Sequence, residues 1–184
     1  MSAVARLRAA TRASHNLVDA AFGDFVLSDR DAYRCFLVAH ARALPPAEAA
    51  VQRLAFARTL PSRAPLLECD LADLGAPMPA PLPFADLDEP GLWGALYVVE
   101  GSRLGGVMLA RSVRTDVPAR YLAAAHQPGQ WRAIRHAIDS AAANGSTTWN
   151  DAMLAGAAAT FDLYAAAARL ETDWPMPKIS PDRS

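Results

Sequence analysis

The stretch ALYVVEGSRLGG, residues 95–106, constrains the fold most strongly, because it fits only two very different structures. It is either a buried β-strand that runs into a glycine-rich loop, or a helix that contains Gly101, Gly105 and Gly106. A strand of this kind needs parallel partners, and no other segment shows period-2 alternation or a β-branched run. The sequence GSRLGG also lacks the GxGxxG spacing and the Lys-Ser/Thr pair of phosphate-binding loops. We therefore predict a helix over 90–113.

The remaining segments also show the 3.6-residue periodicity of helices. Apolar residues recur at this spacing over 7–22. A second helix is expected to start after Ser28 and to be broken by Pro45 and Pro46, which open another helix. The later predicted helices are 64–75, 118–126, 129–145 and 147–171, and a proline-rich loop covers 76–90. The predicted fold class is all-α.

Length and composition favour one globular domain. The chain has 184 residues, of which 52% are hydrophobic and 20% charged. We predict one helical domain over 1–173 and a loose proline-rich tail over 174–184. The net charge of −1 argues against a nucleic-acid surface, and no apolar run approaches the ~18 residues of a membrane span. The two cysteines have no disulfide-framework or metal-site spacing, so a cytoplasmic location is expected.

Three glycines share one face of the predicted central helix. Gly94, Gly101 and Gly105 are spaced i, i+7 and i+11, and Gly106 lies beside them. Each costs up to about 1 kcal/mol relative to alanine within a helix, so their spacing needs a cause. One hypothesis is close helix–helix packing, which small residues permit. The other is a planar ligand that presses on this face. The spacing itself is compatible with both.

A planar ligand in an all-helical protein suggests a porphyrin, whose iron needs an axial ligand. The candidate ligands are His15, His40, His126 and His136. His15 lies on the apolar stripe of the first helix, and Asp19 follows one turn later, where it can orient the imidazole through its other nitrogen. The other three histidines are interpreted as ordinary core or surface residues.

Two segments together resemble the heme oxygenases. LRAATRASHNLVDAAF, residues 7–22, is similar to the proximal helix of that family, in which a histidine follows a Leu-Arg…Thr pattern and precedes an acid by four residues. LYVVEGSRLGG, residues 96–106, is similar to the distal helix of bacterial members, particularly those that supply biliverdin to bacteriophytochromes. The resemblance covers most of the chain except the tail. It implies a single-domain helical bundle that holds heme between these two helices.

The resemblance assigns roles to individual residues. It makes His15 the axial iron ligand and Asp19 the partner of that histidine. Gly101 and Gly105 would flank the distal pocket in which oxygen reacts, and Gly106 would relieve crowding there. The implied catalytic residues are Gly101, Ser102, Gly105 and Gly106.

Ser102 departs from the family pattern. Many members have an aspartate at this position, which orders the water that delivers protons. A serine hydroxyl donates and accepts hydrogen bonds but does not titrate usefully. Proton delivery in this chain would therefore rely on water.

The two heme propionates need cations or hydrogen-bond donors at the mouth of the pocket. Arg8 lies seven residues before His15, on the same face and about 10 Å along the helix axis. Arg132, Arg135 and Tyr97 are further candidates. The complete set of expected heme-binding residues is Arg8, Thr11, His15, Asp19, Tyr97, Arg132 and Arg135.

The implied activity is oxidative cleavage of heme to biliverdin with release of carbon monoxide and ferrous iron. Heme would be both substrate and cofactor. Electrons would come from a ferredoxin, a reductase or a small reductant, because the sequence has no flavin or nicotinamide motif. A bacteriophytochrome would receive the biliverdin. The alternatives are a non-catalytic heme carrier or sensor, which Ser102 suggests, and a relative of the same architecture that binds no heme.

Overall fold

Helices form all the regular secondary structure in residues 1–172, the part of the chain that the computed structural model describes. In chain order they are α1 (Ala3–Ala10), α2 (Arg12–Gly23), α3 (Arg30–Val51), α4 (Ala64–Asp73), α5 (Glu89–Leu109), α6 (Arg120–Ala123), α7 (Gln130–Ala141) and α8 (Thr147–Thr172). Short 3₁₀ helices follow α3 at Ala57–Thr59 and α5 at Ala110–Ser112. The all-α class is confirmed. The predicted tail, 174–184, lies outside the described residues.

The predicted first helix consists of two helices that meet at Thr11. The Thr11 N–H donates to the Leu7 carbonyl at 2.9 Å, and the Thr11 carbonyl accepts from the His15 N–H at 2.9 Å. The hydrogen-bond ladder therefore crosses the junction. α1 buries Ala3 and Leu7, whereas α2 contains no buried residue. The 12 residues of α2 thus lie on the bundle without inserting a side chain deeply into its core.

The predicted helix break at Pro45 and Pro46 is wrong, because α3 continues through both prolines. Pro46 has no N–H to donate to the carbonyl of Arg42, four residues earlier. The N–H of Leu82, in the proline-rich loop, donates to that carbonyl at 2.9 Å instead. A partner that is distant in sequence therefore satisfies a group that the proline leaves unpaired. The separate helix predicted after the prolines does not form.

Two helix ends show how local sequence sets the boundaries. α3 is capped by Asp29, whose carboxylate accepts the Ala32 N–H at 2.8 Å. The predicted cap, Ser28, is one residue too early. The predicted stop of α4 at Gly75 is confirmed, since Gly75 has a φ of +73°. Glycine adopts this left-handed conformation without a steric penalty and commonly ends helices.

The closest packing in the bundle joins α5 to α8. A Cβ atom on Gly94 would overlap the Met153 carbonyl oxygen and lie 2.8 Å from the Ala157 nitrogen. A Cβ atom on Gly156 would overlap the Gly91 carbonyl oxygen and lie 2.5 Å from the Gly91 Cα. The two helix backbones therefore touch with no side chain between them, as glycine permits. Close packing accounts for Gly94.

The smaller helices are fixed by polar contacts. The fully buried Asp70 of α4 accepts the Tyr121 N–H at 2.9 Å and an Arg120 N–H at 3.0 Å, which joins α6 to α4. The Val4 N–H donates to Asp139 at 3.0 Å and joins α1 to α7. Among the described residues, no helix is both long enough and apolar enough to cross a membrane.

Candidate functional site

The second half of α5 carries a glycine face that the described chain leaves largely uncovered. A Cβ atom on Gly105 would meet no atom within 4 Å. A Cβ atom on Gly101 would meet only Cη2 of Trp131, at 3.7 Å, which is an ordinary contact. The neighbouring apolar side chains of Leu104 and Met108 are 48% and 59% exposed. Helix packing therefore does not account for Gly101 and Gly105. We call Gly101, Leu104, Gly105 and Met108 the open face of α5.

Gly106 differs from these two glycines. A Cβ atom there would lie 3.1 Å from the Leu122 carbonyl oxygen of α6, which is closer than nearly all real Cβ contacts. Gly106 is buried, whereas Gly105 is exposed. The position therefore lets α5 approach α6 closely.

His15 and Asp19 form an exposed pair on α2. His15 Nδ1 lies 2.9 Å from an Asp19 carboxylate oxygen, and the two side chains are 60% and 65% exposed. The His15 ring meets the Phe161 ring of α8 edge-on, with the ring centroids 5.8 Å apart. If Nδ1–H donates to the carboxylate, the imidazole is held in the tautomer whose Nε2 lone pair is available to a metal. The contact with Asp19 therefore fixes the orientation of the His15 ring.

Thr11 is buried at the α1–α2 junction. Its side chain is 5% exposed, and its hydroxyl donates to the Leu7 carbonyl at 2.8 Å. This contact uses the hydroxyl proton inside the helix. The residue therefore shapes the junction that places α2, rather than offering a free donor at the surface.

The charge of Arg8 acts on Tyr97, which lies one helical turn before Gly101 on α5. Burial raises the pKa of the Tyr97 phenol above its ordinary value, and the nearby positive charge of Arg8 opposes that shift. The Tyr97 ring also neighbours the Trp131 ring, at 6.1 Å between centroids. Arg132 and Arg135 are exposed on α7 and form no salt bridge within residues 1–172. Of the three predicted arginines, Arg8 is the one whose charge affects the pKa of Tyr97.

Ser102 points its hydroxyl into a buried network. The hydroxyl donates to the Val99 carbonyl at 2.7 Å and accepts from Arg63 Nη2 at 2.8 Å. Arg63 is 2% exposed, also donates to the Val99 carbonyl at 2.8 Å, and stacks over the Tyr121 ring at 5.2 Å. Arg63 was not among the predicted site residues, because nothing in the local sequence distinguishes this arginine from a surface one.

A second buried ionic cluster joins Glu100 and Arg103 of α5 to His126. Glu100 pairs with Arg103 at 2.8 Å and with His126 Nε2 at 3.0 Å, and all three side chains are at most 5% exposed. Burial lowers the pKa of His126, and its contact with Glu100 opposes that effect. The His126 ring stacks on Trp131, with centroids 5.6 Å apart and planes at 21°. His126 is therefore a buried, partnered histidine.

The two remaining histidines have contrasting environments. His136 is exposed on α7. The ring of His40 packs among aromatic rings of α2, α3, α6 and α8, and its Nδ1 donates to the Phe36 carbonyl at 3.0 Å. Burial lowers the pKa of His40 to about 3, so this imidazole is neutral at pH 7.

Comparison with solved structures places the chain among known folds. It superposes on the NO- and CO-bound heme oxygenase from Neisseria meningitidis with a TM-score of 0.77 over 93% of this chain and 92% of that one, at 22% identity. A curated heme oxygenase from Xanthomonas campestris pv. campestris (strain 8004) is 37% identical over 109 residues. The chain is therefore similar to one heme oxygenase in part of its sequence and to another in its fold. This confirms the predicted resemblance and the heme oxygenase-like bundle.

The sequence match to the Xanthomonas heme oxygenase is partial. It covers 54% of this chain and 62% of that protein, so the chain matches less than two thirds of its relative. No protein-family model matches the chain. The structural similarity to the Neisseria heme oxygenase, in contrast, extends over nearly the whole of both chains.

Proposed function

We propose that this protein is a heme oxygenase, which cleaves heme to biliverdin and releases carbon monoxide and ferrous iron. The observation that carries the proposal is the open face of α5. Gly101 and Gly105 lie on the helix that resembles the distal helix of the family, and no described side chain packs tightly on them. The proposed heme site, which we call the α2–α5 site, comprises this face, Arg8, Tyr97, and His15 and Asp19 of α2.

The residues of the α2–α5 site fit a heme in shape and in charge. Glycines and exposed apolar side chains offer a flat, apolar surface. Both α2 and α5 pack on α8, while α2 has no buried residue of its own. Arg8, close to Tyr97, supplies a positive charge for a propionate. His15 would hold the iron through Nε2 because Asp19 engages Nδ1.

When bound, heme supplies the iron that activates oxygen and the ring that is oxidised. The protein's residues hold and surround it. Asp19 fixes the orientation of the His15 ring, and Gly101 and Gly105 leave space where a side chain would otherwise stand. Leu104 and Met108 offer apolar contact that excludes water. Gly106 lets α5 approach α6 closely at the end of this face.

Proton delivery in this proposal depends on water rather than on an acid at position 102. The Ser102 hydroxyl proton is directed to the Val99 carbonyl, and Arg63 donates to its oxygen. We propose that this pair holds α5 in place, while ordered water supplies protons. Electrons come from a ferredoxin, a reductase or a small reductant, and the family resemblance suggests a bacteriophytochrome as the biliverdin acceptor.

A non-catalytic heme carrier or sensor is the second candidate, and the same hydrogen bonds of Ser102 favour it. Hemin titration followed by ascorbate under air separates the candidates. A Soret band that decays as biliverdin absorbance rises supports the oxygenase. A stable Soret band supports the carrier, and the absence of a Soret shift rejects heme binding.

The His15 assignment has its own test. We expect His15→Ala to remove the histidine ligand of the iron and nearly all turnover, because the other carboxylate-paired histidine within residues 1–172, His126, is buried with its Nε2 on Glu100. His136→Ala, on the exposed surface of α7, is the matched control and should change neither. An unchanged ferric spectrum in the His15 variant would contradict the assignment.

A further inference from the structure

Trp131 stands at the boundary of the open face, although the sequence gives it no role. Its Cη2 atom lies 3.7 Å from the position of a Cβ atom on Gly101, and within residues 1–172 no other atom outside the local helix turns comes within 4 Å of that position. Its ring also neighbours that of Tyr97, at 6.1 Å between centroids. The indole therefore lies at the side of the open face, where it would contact a planar ligand bound there.

A buried ionic cluster holds this wall in place. His126 stacks on the indole at 5.6 Å, and its Nε2 lies 3.0 Å from Glu100, which is itself paired with Arg103. A carboxylate can only accept, so Nε2 carries the proton and the plane of the His126 ring is fixed. Its buried Nδ1 has no hydrogen-bond partner among the described residues. The histidine is thus oriented from one side only, by Glu100.

We infer that Trp131 is a specificity-determining residue of the α2–α5 site, and that His126 and Glu100 are the positioning residues that hold it. This inference rests on the proposed function. A macrocycle on the open face meets the indole edge at its rim, next to Gly101. The contact limits how the ring can rotate in its own plane, and therefore which meso edge is offered for attack.

The test compares hemin complexes of the wild type, Trp131→Ala, Trp131→Phe and His126→Ala. Trp149→Phe is the control, because the indole of Trp149, in the first turn of α8, packs on Gly145 just before that helix. Proton NMR of the heme methyl groups in the cyanide-bound ferric complexes measures in-plane orientation without turnover. Chromatography of the biliverdin isomers measures the site of attack.

We expect Trp131→Ala to add a second set of heme methyl resonances and to change the isomer ratio about threefold or more, the size of one aromatic contact. His126→Ala should act in the same direction but more weakly, and Trp131→Phe should lie nearest the wild type. Methyl resonances and isomers in Trp131→Ala that match those of the wild type would overturn the inference. If Trp131→Ala does not fold, the other variants decide. The inference is then overturned if Trp131→Phe and His126→Ala give the same heme methyl resonances and the same isomer ratio as the Trp149→Phe control. Failure of the wild type to bind hemin rejects the proposed function itself, before any variant is compared.

Discussion

The two halves of α5 use glycine for opposite purposes. In the first half, Gly94 meets α8 so closely that a single added carbon would overlap its backbone. In the second half, Gly101 and Gly105 lie on the same face of the helix, and a carbon added at Gly105 would meet nothing. Glycines that share one helical face in the sequence therefore have two different physical causes.

The difference shows how to separate packing from binding. Each helical glycine costs up to about 1 kcal/mol relative to alanine, and contact with α8 offsets that cost at Gly94. Within residues 1–172, no comparably tight contact offsets it at Gly101 or Gly105. A ligand on the open face would supply the missing compensation, which is why the second half of α5 is the part assigned to heme.

The largest effect is expected at the packed half. Gly94→Ala should lower the free energy of unfolding by about 3 kcal/mol or more, because backbone atoms of α8 cannot move aside as a flexible side chain would. Gly105→Ala is the matched control and should leave stability unchanged or raise it by up to about 1 kcal/mol. Urea unfolding of the two apo proteins measures both. Equal destabilisation would abolish the distinction between the halves.

Acid should test the packed region through the buried His40. His40 is packed among aromatic rings and has a pKa of about 3 instead of 6.5. Between pH 6.5 and 3 the unfolded chain binds a proton at His40 that the folded chain does not. The contribution of His40 to the free energy of unfolding is therefore fully present above pH 6.5. It decreases below that pH, by about 2 kcal/mol at pH 5. His40→Phe should lack this part of the pH dependence, as unfolding at pH 7 and pH 5 would show.

At the open half, larger side chains should impair chemistry without impairing folding. Gly101→Leu and Gly105→Leu should lower heme turnover by at least about tenfold, which is about 1.4 kcal/mol in the activation free energy. The apo melting temperature should stay at or above that of the wild type, since leucine favours helices. Ascorbate-driven turnover and thermal unfolding of the same preparations decide the matter. Normal turnover by destabilised variants would assign these glycines to packing.

The smallest effect concerns the charge beside the open face. Arg8→Glu should weaken hemin binding about fivefold, because a carboxylate would repel a propionate through a partly solvated contact. Arg58→Glu reverses a charge on the exposed turn after α3 and should leave the affinity unchanged. Hemin titrations at low ionic strength compare the two. If both variants bind hemin equally well, Arg8 does not belong to the α2–α5 site.

Patterns local in sequence predicted the helical class and the central helix correctly. The stop at Gly75 was also correct, because a left-handed glycine is a local requirement. The break at Pro45 and Pro46 was wrong, because the group that satisfies the Arg42 carbonyl lies in a loop some 40 residues away, which no local pattern records. Long-range partners explain this error.

The candidate site was predictable to the extent that it depends on helical faces. Periodicity placed His15 and Asp19 one turn apart, and the structure shows them in contact. The partner of Ser102 could not be predicted, since Arg63 reaches it from the segment before α4. The position of Trp131 beside Gly101 likewise depends on the packing of α7, which lies about 30 residues further along the chain.

The backbone contact between α5 and α8 has a consequence for motion. Where Gly91 meets Gly156, and Gly94 meets the backbone of Met153 and Ala157, no layer of side chains exists that could rearrange as the helices slide. Tightly packed elements of this kind move together rather than separately. α2, in contrast, buries no residue and begins at the junction formed by Thr11. We therefore expect α2 to move about that junction more readily than α5 moves against α8, so that a displacement of α2 would admit a flat molecule to the proposed site.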